Sequence, residues 1–301
     1  MPPASLPPLL RPEPGPATLK VTRWGGRRLA ALRGGPALQG QTVGESWEFS
    51  TLPGSESAAR GRPLGELLGA PLPFLAKLID TALPLSVQVH PDDRPDPDRP
   101  GAVLPGKEEA WVILAADPGA RLWVGLKPGL TRDALARAAH AGDPLVACLQ
   151  EHVAEPGLCV LVPAGTVHAI GGGLLLAEIQ QPSDCTYRLF DYGSGRPLHV
   201  AEALACADLD ARPQLWRPGD PPRALSGKHV TLRPLGPGAH ALALQATSLV
   251  IGARGRADVR ADDLTESLAP GDLLLARPGP LALTIPPDGL VVVGDVRPWP
   301  R

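Results

Sequence analysis

Apolar residues in this chain come in two patterns, alternation with polar ones and short unbroken runs. Both are cut by glycine and proline, and together they predict a mostly β protein. Gly44-Glu45-Ser46-Trp47-Glu48-Phe49-Ser50 alternates as a half-buried strand does. Across residues 85–93 the period of two places Ser86, Gln88 and His90 on one face and Leu85, Val87 and Val89 on the other. Residues 106–114 repeat this after a Pro/Asp-rich loop, with Lys107, Glu109 and Trp111 sharing a face, and residues 121–126, 158–162 and 174–179 read as further strands. A helical period is rarer. Residues 63–68 and 74–79, the latter holding Lys77, fit short helical pieces. Thr131 can N-cap a helix that carries Leu135, Ala138 and Ala139 at helical spacing up to Gly142. With a second piece over 144–153 it forms a helical insertion spanning roughly 128–156, and residues 197–209 are helical again.

Residues 1–17 are proline-rich and expected to be poorly ordered or extended against the surface. Arg212-Pro213 and Gly219-Asp220-Pro221-Pro222 form the best linker. Beyond it, the apolar runs 249–251, 268–275 and 290–293 lie between glycine and proline turns, as in a second, smaller β-barrel-like domain. The expected layout is therefore an N-terminal segment 1–17, a main domain 18–218 and a C-terminal domain 219–301. His229 and His240 have no acid or amide partner at matching spacing, so no metal is assigned to the second domain. His140 and His152 read as surface residues. For the turn Trp24-Gly25-Gly26 and the strand 44–50, core packing is the plain reading.

Composition narrows the class. The chain of 301 residues can bury a core without a staple, and its 29 basic and 31 acidic residues nearly cancel, to −2. That balance predicts neither nucleic acid nor an anionic membrane surface as partner. Four cysteines without CxxC spacing fit reduced thiols of a cytosolic protein. No charged leader or membrane-length apolar run is seen, so a soluble cytoplasmic protein is expected, either a monomer or a small homo-oligomer.

The chemistry gathers around Val162-Pro163-Ala164-Gly165-Thr166-Val167-His168, where a tight turn delivers one histidine. A histidine in such a setting is more often a satisfied half-buried side chain than a ligand. Gln88, His90 and Glu109 on inward strand faces change that weighing. Two imidazoles, a carboxylate and an amide oxygen make a mixed set suited to Zn²⁺ and tolerable to Mn²⁺, Fe²⁺ or Co²⁺. Lys107, Glu178 and Arg188 lie near these residues in sequence, and cations beside a divalent ion make sense when the substrate is an anion. The alternative for Arg188 is a structural ion pair with Asp191 or Asp184.

Four motifs, Gln88-Val89-His90-Pro91-Asp92-Asp93, Lys107-x-Glu109-x-Trp111, Pro163 through Ile170, and Glu178-Ile179-Gln180-Gln181-x-Ser183-Asp184-x-Thr186-Tyr187-Arg188, occur in one order. Together with Trp24-Gly25-Gly26 and Gly44 through Glu48, they resemble the type I mannose-6-phosphate isomerases in their shorter bacterial form. The resemblance covers roughly residues 18–210. It implies an all-β cupin fold, a jelly roll or β-sandwich holding one Zn²⁺ per chain, with a second, metal-free cupin-like domain behind it. By the same resemblance Gln88, His90, Glu109 and His168 are the zinc ligands and Arg188 is the active-site cation. The implied reaction interconverts mannose 6-phosphate and fructose 6-phosphate through an enediol. For that reaction Lys107 and Glu178 are candidates for proton handling, and Ser86 and Lys77 for phosphate binding. Glu108, Pro182 and the segment after 220 depart from the family pattern, and the first two lie where they could modify substrate preference. Two rival readings stand beside it: a cupin Fe²⁺ oxygenase, and a sugar-phosphate-binding cupin without turnover.

Overall fold

Strands that are apolar at nearly every position must be covered on both sides. In the computed structural model, which describes residues 6–33, 38 and 40–297, such strands fill the middle of a stack of four antiparallel sheets. An outer five-stranded sheet runs Leu149–Val153, Arg121–Leu126, His168–Ile170, Val87–Val89, Tyr187–Phe190. Next comes a seven-stranded sheet: Gln214–Trp216, Cys159–Val162, Glu109–Ala116, Leu174–Gln180, Leu75–Thr81, Leu19–Gly26, Val43–Phe49. A six-stranded sheet follows, from Leu9–Leu10 through Leu273–Ala276, Ser248–Arg254, Leu290–Val296 and Val230–Leu235 to Leu225–Ser226. The far side is a four-stranded sheet of Gly238–Leu244, Gly279–Ile285, Ala257–Ala261 and Leu264–Leu268.

The alternation of each strand sorts its residues between layers. On one face of the seven-stranded sheet, Trp111, Ile113, Val160, Leu174 and Leu176 pack with Leu122, Val124 and Ile170 of the five-stranded sheet. On the other face, Ala110, Val112, Leu161, Ala177 and Ile179 pack with Leu232, Leu249, Ile251 and Val292 of the six-stranded sheet. Approach there is close enough that a Cβ at Gly294 would press on Ile179 and Leu232. Val250, Leu274, Val291 and Val293 then face Val259, Leu281 and Leu283 across the last gap. Only the outermost layers keep a solvent face, and Ala257–Ala261 alternates buried and exposed accordingly. On the opposite end of the stack, Leu135 and Ala139 of helix Arg132–Ala141, Leu145, and Ala203 of helix Val200–Cys206 cover Val87, Val89 and Leu189.

The all-β expectation is borne out, as are the helix capped by Thr131 and the inward face of residues 85–93, though the regular strand there is only Val87–Val89. Three expectations are corrected. Residues 74–79 are not helical: Leu75–Thr81 is an inner strand of the seven-stranded sheet, buried along its whole length. A short run buried on both faces has no period to separate strand from helix. Residues 144–153 divide into a 3₁₀ turn, Asp143–Cys148, and a strand, Leu149–Val153. Within 1–17, Leu9–Leu10 is a buried strand paired with Leu275 and Ala276 of the six-stranded sheet. Residue 219 falls between Gln214–Trp216, the last strand of the seven-stranded sheet, and Leu225–Ser226 of the six-stranded one. We propose it as the division between two units that share one apolar core.

A shared core predicts shared unfolding. The metal-free chain should melt in a single calorimetric transition, and Ile251→Ala should lower it as a whole, at a cost of about 2–5 kcal/mol. Two separate transitions, only one of which moves with Ile251→Ala, would contradict the common core.

Candidate metal centre and pocket

The polar residues of the interior converge between the five-stranded and seven-stranded sheets. Val87–Val89 pairs with His168–Ile170 so that His168 stands opposite Gln88, and Arg188 flanks Gln88 from the other side. The turn before His168 has Gly165 at φ +80°, a conformation that favours glycine, and the Gly165 N–H donates to the His90 carbonyl at 2.8 Å. The two histidines are thereby locked to one another through backbone. Glu109 comes from the facing sheet, where it opens a strand opposite Val162 and Gln180.

The hydrogen bonds fix both imidazole tautomers. His90 Nδ1 lies 3.0 Å from the Cys185 carbonyl and His168 Nδ1 lies 2.9 Å from the Thr166 carbonyl. A carbonyl only accepts, so each Nδ1 carries the hydrogen and each Nε2 presents a lone pair. Those two Nε2 atoms stand 3.4 and 3.3 Å from Glu109 Oε2 and Oε1. Acceptor faces acceptor at both contacts, and Glu109 Oε1 is a buried oxygen with no hydrogen-bond donor. Such a cluster is satisfied by a cation. The cation that touches it here is the Lys107 ammonium, which donates to His90 Nε2 at 2.9 Å and to Glu109 Oε2. His90, Glu109 and His168 thus fit a divalent metal by donor type, tautomer and mutual distance. Gln88 sits beside them with its amide nitrogen 3.2 Å from His168 Nε2, while its oxygen accepts from Ser86 Oγ at 2.9 Å.

Beside the ligands opens a small cavity of about 150 Å³. Ser86, Gln88, Lys77, Lys107, Glu178 and Arg188, all expected from sequence, line it. Lys77 lies between Glu45 and Glu178, at 3.5 and 3.3 Å. Burial works against its charge, but these two acids outweigh burial and raise the ammonium above its ordinary range. Trp111 Nε1 donates to Glu178 at 3.1 Å. Burial, and then the charge of Glu109, push the Glu178 carboxyl up. Arg188 makes no ion pair among the described residues, because Asp191 is taken by Arg196 at 2.7 Å. Its buried Nε has no hydrogen-bond partner.

Glu45, Trp47, Trp24 and Arg196 also line the cavity and were missed as site residues. A signal existed in the alternation of 44–50, which puts Glu45 and Trp47 on one face. Its meaning depends on the facing strand, where Lys77 stands opposite Trp47 and whose two buried faces show no strand period. The reading of His229 as lacking an acid partner is corrected, since its Nε2 lies 2.8 Å from Asp93 Oδ2. Asp92, Asp93 and His229 meet the spacing for a metal, but Lys228 Nζ already lies against both acids, at 2.8 and 3.2 Å.

No protein-family model matches the chain. It is similar to the mannose-6-phosphate isomerase of Streptococcus mutans, 34% identical over 203 residues, which are 60% of this chain and 63% of the relative. The match thus spans less than two thirds of that protein's length. The crystal structure of the mannose 6-phosphate isomerase from Bacillus subtilis superposes with a TM-score of 0.74 at 25% identity, over 96% of this chain and 99% of that one. A mannose 6-phosphate isomerase crystallised with zinc and yttrium shares the fold at 16% identity, with a TM-score of 0.68 over 97% and 100% of the two chains. The cupin architecture and the resemblance drawn from the motifs are both borne out.

Metal-free protein should be acid-labile. Burial, and then the charge of Lys107, push His90 down to about 3, against an ordinary value of 6.5. Burial lowers His168 as well. Between these values the unfolded chain binds more protons than the folded one. The contribution is therefore complete above pH 6.5 and is lost as pH falls toward 3, at about 1.4 kcal/mol per pH unit for each fully titrating group. Glu178, Glu48 and Asp80, raised mainly by burial, work the opposite way above their ordinary carboxylate range, while His152, lowered by burial, adds to the two histidines. Urea midpoints of chelated protein should fall steadily from pH 6.5 to 4.5; a midpoint flat across that range would refute neutral, buried histidines.

Proposed function

We propose that the chain is a zinc-dependent aldose–ketose isomerase that interconverts mannose 6-phosphate and fructose 6-phosphate through an enediol. One observation carries this reading. Two imidazole nitrogens with their lone pairs turned inward and a carboxyl oxygen without a hydrogen-bond donor meet at the edge of a cavity that also holds an acid with a raised proton affinity and an arginine without an ion-pair partner among the described residues. The relatives named mannose-6-phosphate isomerase support the choice of substrate.

In this proposal His90 and His168 through Nε2, Glu109 through its carboxylate and Gln88 through its amide oxygen hold one Zn²⁺ per chain. When bound, zinc supplies Lewis-acid stabilisation of the negative charge that develops on the sugar oxygens. The rest falls to the chain's own side chains. Isomerisation removes a proton from C2 of the open-chain aldose and returns one to C1, so it needs a base poised near neutrality and held still. Glu178 is the candidate, because it lines the cavity and Trp111 with Lys77 holds its carboxyl in place. Lys107, beside Glu109, can donate a hydrogen bond to the enediolate oxygen as charge builds there. Arg188 offers a planar donor fork to the phosphate or to the enediolate. Ser86 orients Gln88 and stands free to take a sugar hydroxyl. Lys77, already shared by two acids, serves the substrate chiefly by holding Glu178.

Four free cysteines and the absence, among the described residues, of a helix long and apolar enough to cross a membrane agree with a cytoplasmic enzyme of this kind.

A coupled assay with mannose 6-phosphate tests the reading directly. Turnover should vanish on chelation and return with Zn²⁺. Arg188→Ala should lower kcat by about 10²–10³-fold at unchanged zinc content, and Glu178→Gln by about 10²–10⁴-fold. Full turnover in verified metal-free protein would sink the zinc requirement; near-wild-type turnover of Arg188→Ala would remove that residue from the site.

A further inference from the structure

Glu108 precedes a candidate ligand, yet its side chain turns away from the cavity. Its carboxyl group is buried at the junction with the C-terminal unit, where Oε1 accepts the backbone N–H groups of His229 at 2.8 Å and Val230 at 2.6 Å and Oε2 accepts that of Lys228 at 3.0 Å. Three N–H donors from one turn of the second unit thus close on a single acid of the first. The Glu108 backbone is held as firmly: its N–H donates to Gln181 Oε1 at 3.0 Å, and its carbonyl accepts from the Gln181 N–H at 3.0 Å.

The same loop grips the other ligand strand. Asp93, three residues after His90, accepts from His229 Nε2 at 2.8 Å, Lys228 Nζ at 3.2 Å, the Gln181 amide at 2.9 Å and the Gly106 N–H at 2.8 Å. The Lys107 N–H donates to the Pro91 carbonyl at 2.9 Å. Residues 91–93, which follow His90, and 106–108, which precede Glu109, are therefore fastened to each other and to residues 227–230. Glu109 is the first residue of its regular strand, so the sheet ladder fixes its direction from one side only. The other side rests on this polar clamp.

We propose that Glu108 is a positioning residue, through which loop 227–230 of the C-terminal unit aims Glu109 and His90 at a shared metal ion. The proposal rests on the zinc reading above. It gives the second unit a role in metal binding although it supplies no ligand, and it puts a positioning role in place of the expectation that Glu108 could modify substrate preference.

The test reads zinc affinity, by competition with a chromophoric chelator, in wild type, Glu108→Ala, Glu108→Gln and Gly227→Ala. Gly227 belongs to the C-terminal unit, has an ordinary φ, and lies so near that a Cβ there would collide with the Glu108 carboxyl. Glu108→Ala and Gly227→Ala should each weaken zinc binding about 10- to 100-fold, whereas Glu108→Gln, whose amide oxygen can still accept from His229 and Val230, should stay within about threefold of wild type. Saturating zinc should restore most of kcat in Gly227→Ala, since no reacting group has changed. Zinc affinities of Gly227→Ala and Glu108→Ala within about twofold of wild type would overturn the proposal, even with a lowered Tm, because that is the signature of a merely structural contact. If Glu108→Ala does not fold, Gly227→Ala and Glu108→Gln decide. Zinc bound by wild type without isomerase activity would defeat the catalytic reading and leave the clamp standing; wild type that binds no zinc would defeat both.

Discussion

Four ionisable side chains, Glu45, Lys77, Glu109 and Glu178, project from one sheet into a space that a second sheet closes, and the rest of the structure answers the cost of burying them. An isolated charge in an apolar interior is worth many kcal/mol of penalty, so each group must find a partner or give up its charge. Lys77 is shared by Glu45 and Glu178, Trp47 and Trp111 donate their indole hydrogens to those two acids, and Lys107 reaches Glu109. Rigid indoles and buried ammonium groups are a costly way to build a plain core, since apolar residues of the same volume would do as well or better. Their concentration at one edge of one sheet marks the place where the chain accepts that cost for chemistry.

The seven-stranded sheet can do this because it serves two cores at once. At odd positions of Glu109–Ala116 it presents Glu109, Trp111 and Ile113 to the five-stranded sheet; at even positions it presents Ala110 and Val112 to the C-terminal unit. A strand that carries a candidate ligand on one face and interface core on the other cannot shift for one purpose without disturbing the other. The C-terminal sandwich is thus a backing plate for the pocket, and the buried polar contacts at its rim, where apolar packing gives way, are what set the final direction of the ligand-bearing segments.

How much of this was legible follows from the same geometry. Residues 85–93 and 106–114 could be read because one face is polar and the other apolar, so that period two announces both the strand and its inward side. Leu75–Thr81 could not, because both faces are buried and the lone Lys77 gives no period. That one misreading hid the partnership of Lys77 with Glu45 and so left the floor of the pocket incomplete. Asp93 and Glu108 belong to or adjoin the polar motifs, but their partners His229 and Lys228 lie more than a hundred residues away in sequence, where spacing says nothing. The same distance concealed the strand Leu9–Leu10: two leucines among prolines carry no sign of which sheet edge they will close.

Charge balance at the pocket links the metal to the base. Glu45, Glu109 and Glu178 share the pocket with the ammonium groups of Lys77 and Lys107 and the guanidinium of Arg188. Among the acids it is Glu178 whose protonated form is favoured, by burial and by the nearby Glu109. A protonated Glu178 cannot remove a proton from carbon. A divalent cation held by His90, Glu109 and His168 would offset the repulsion that Glu109 exerts on Glu178 and lower the Glu178 proton affinity. The added charge also favours an anionic substrate. On this argument the metal's place in the proposed reaction includes electrostatic control of Glu178, and the close spacing of Glu109 and Glu178 on paired strands of one sheet is the feature that makes the control effective.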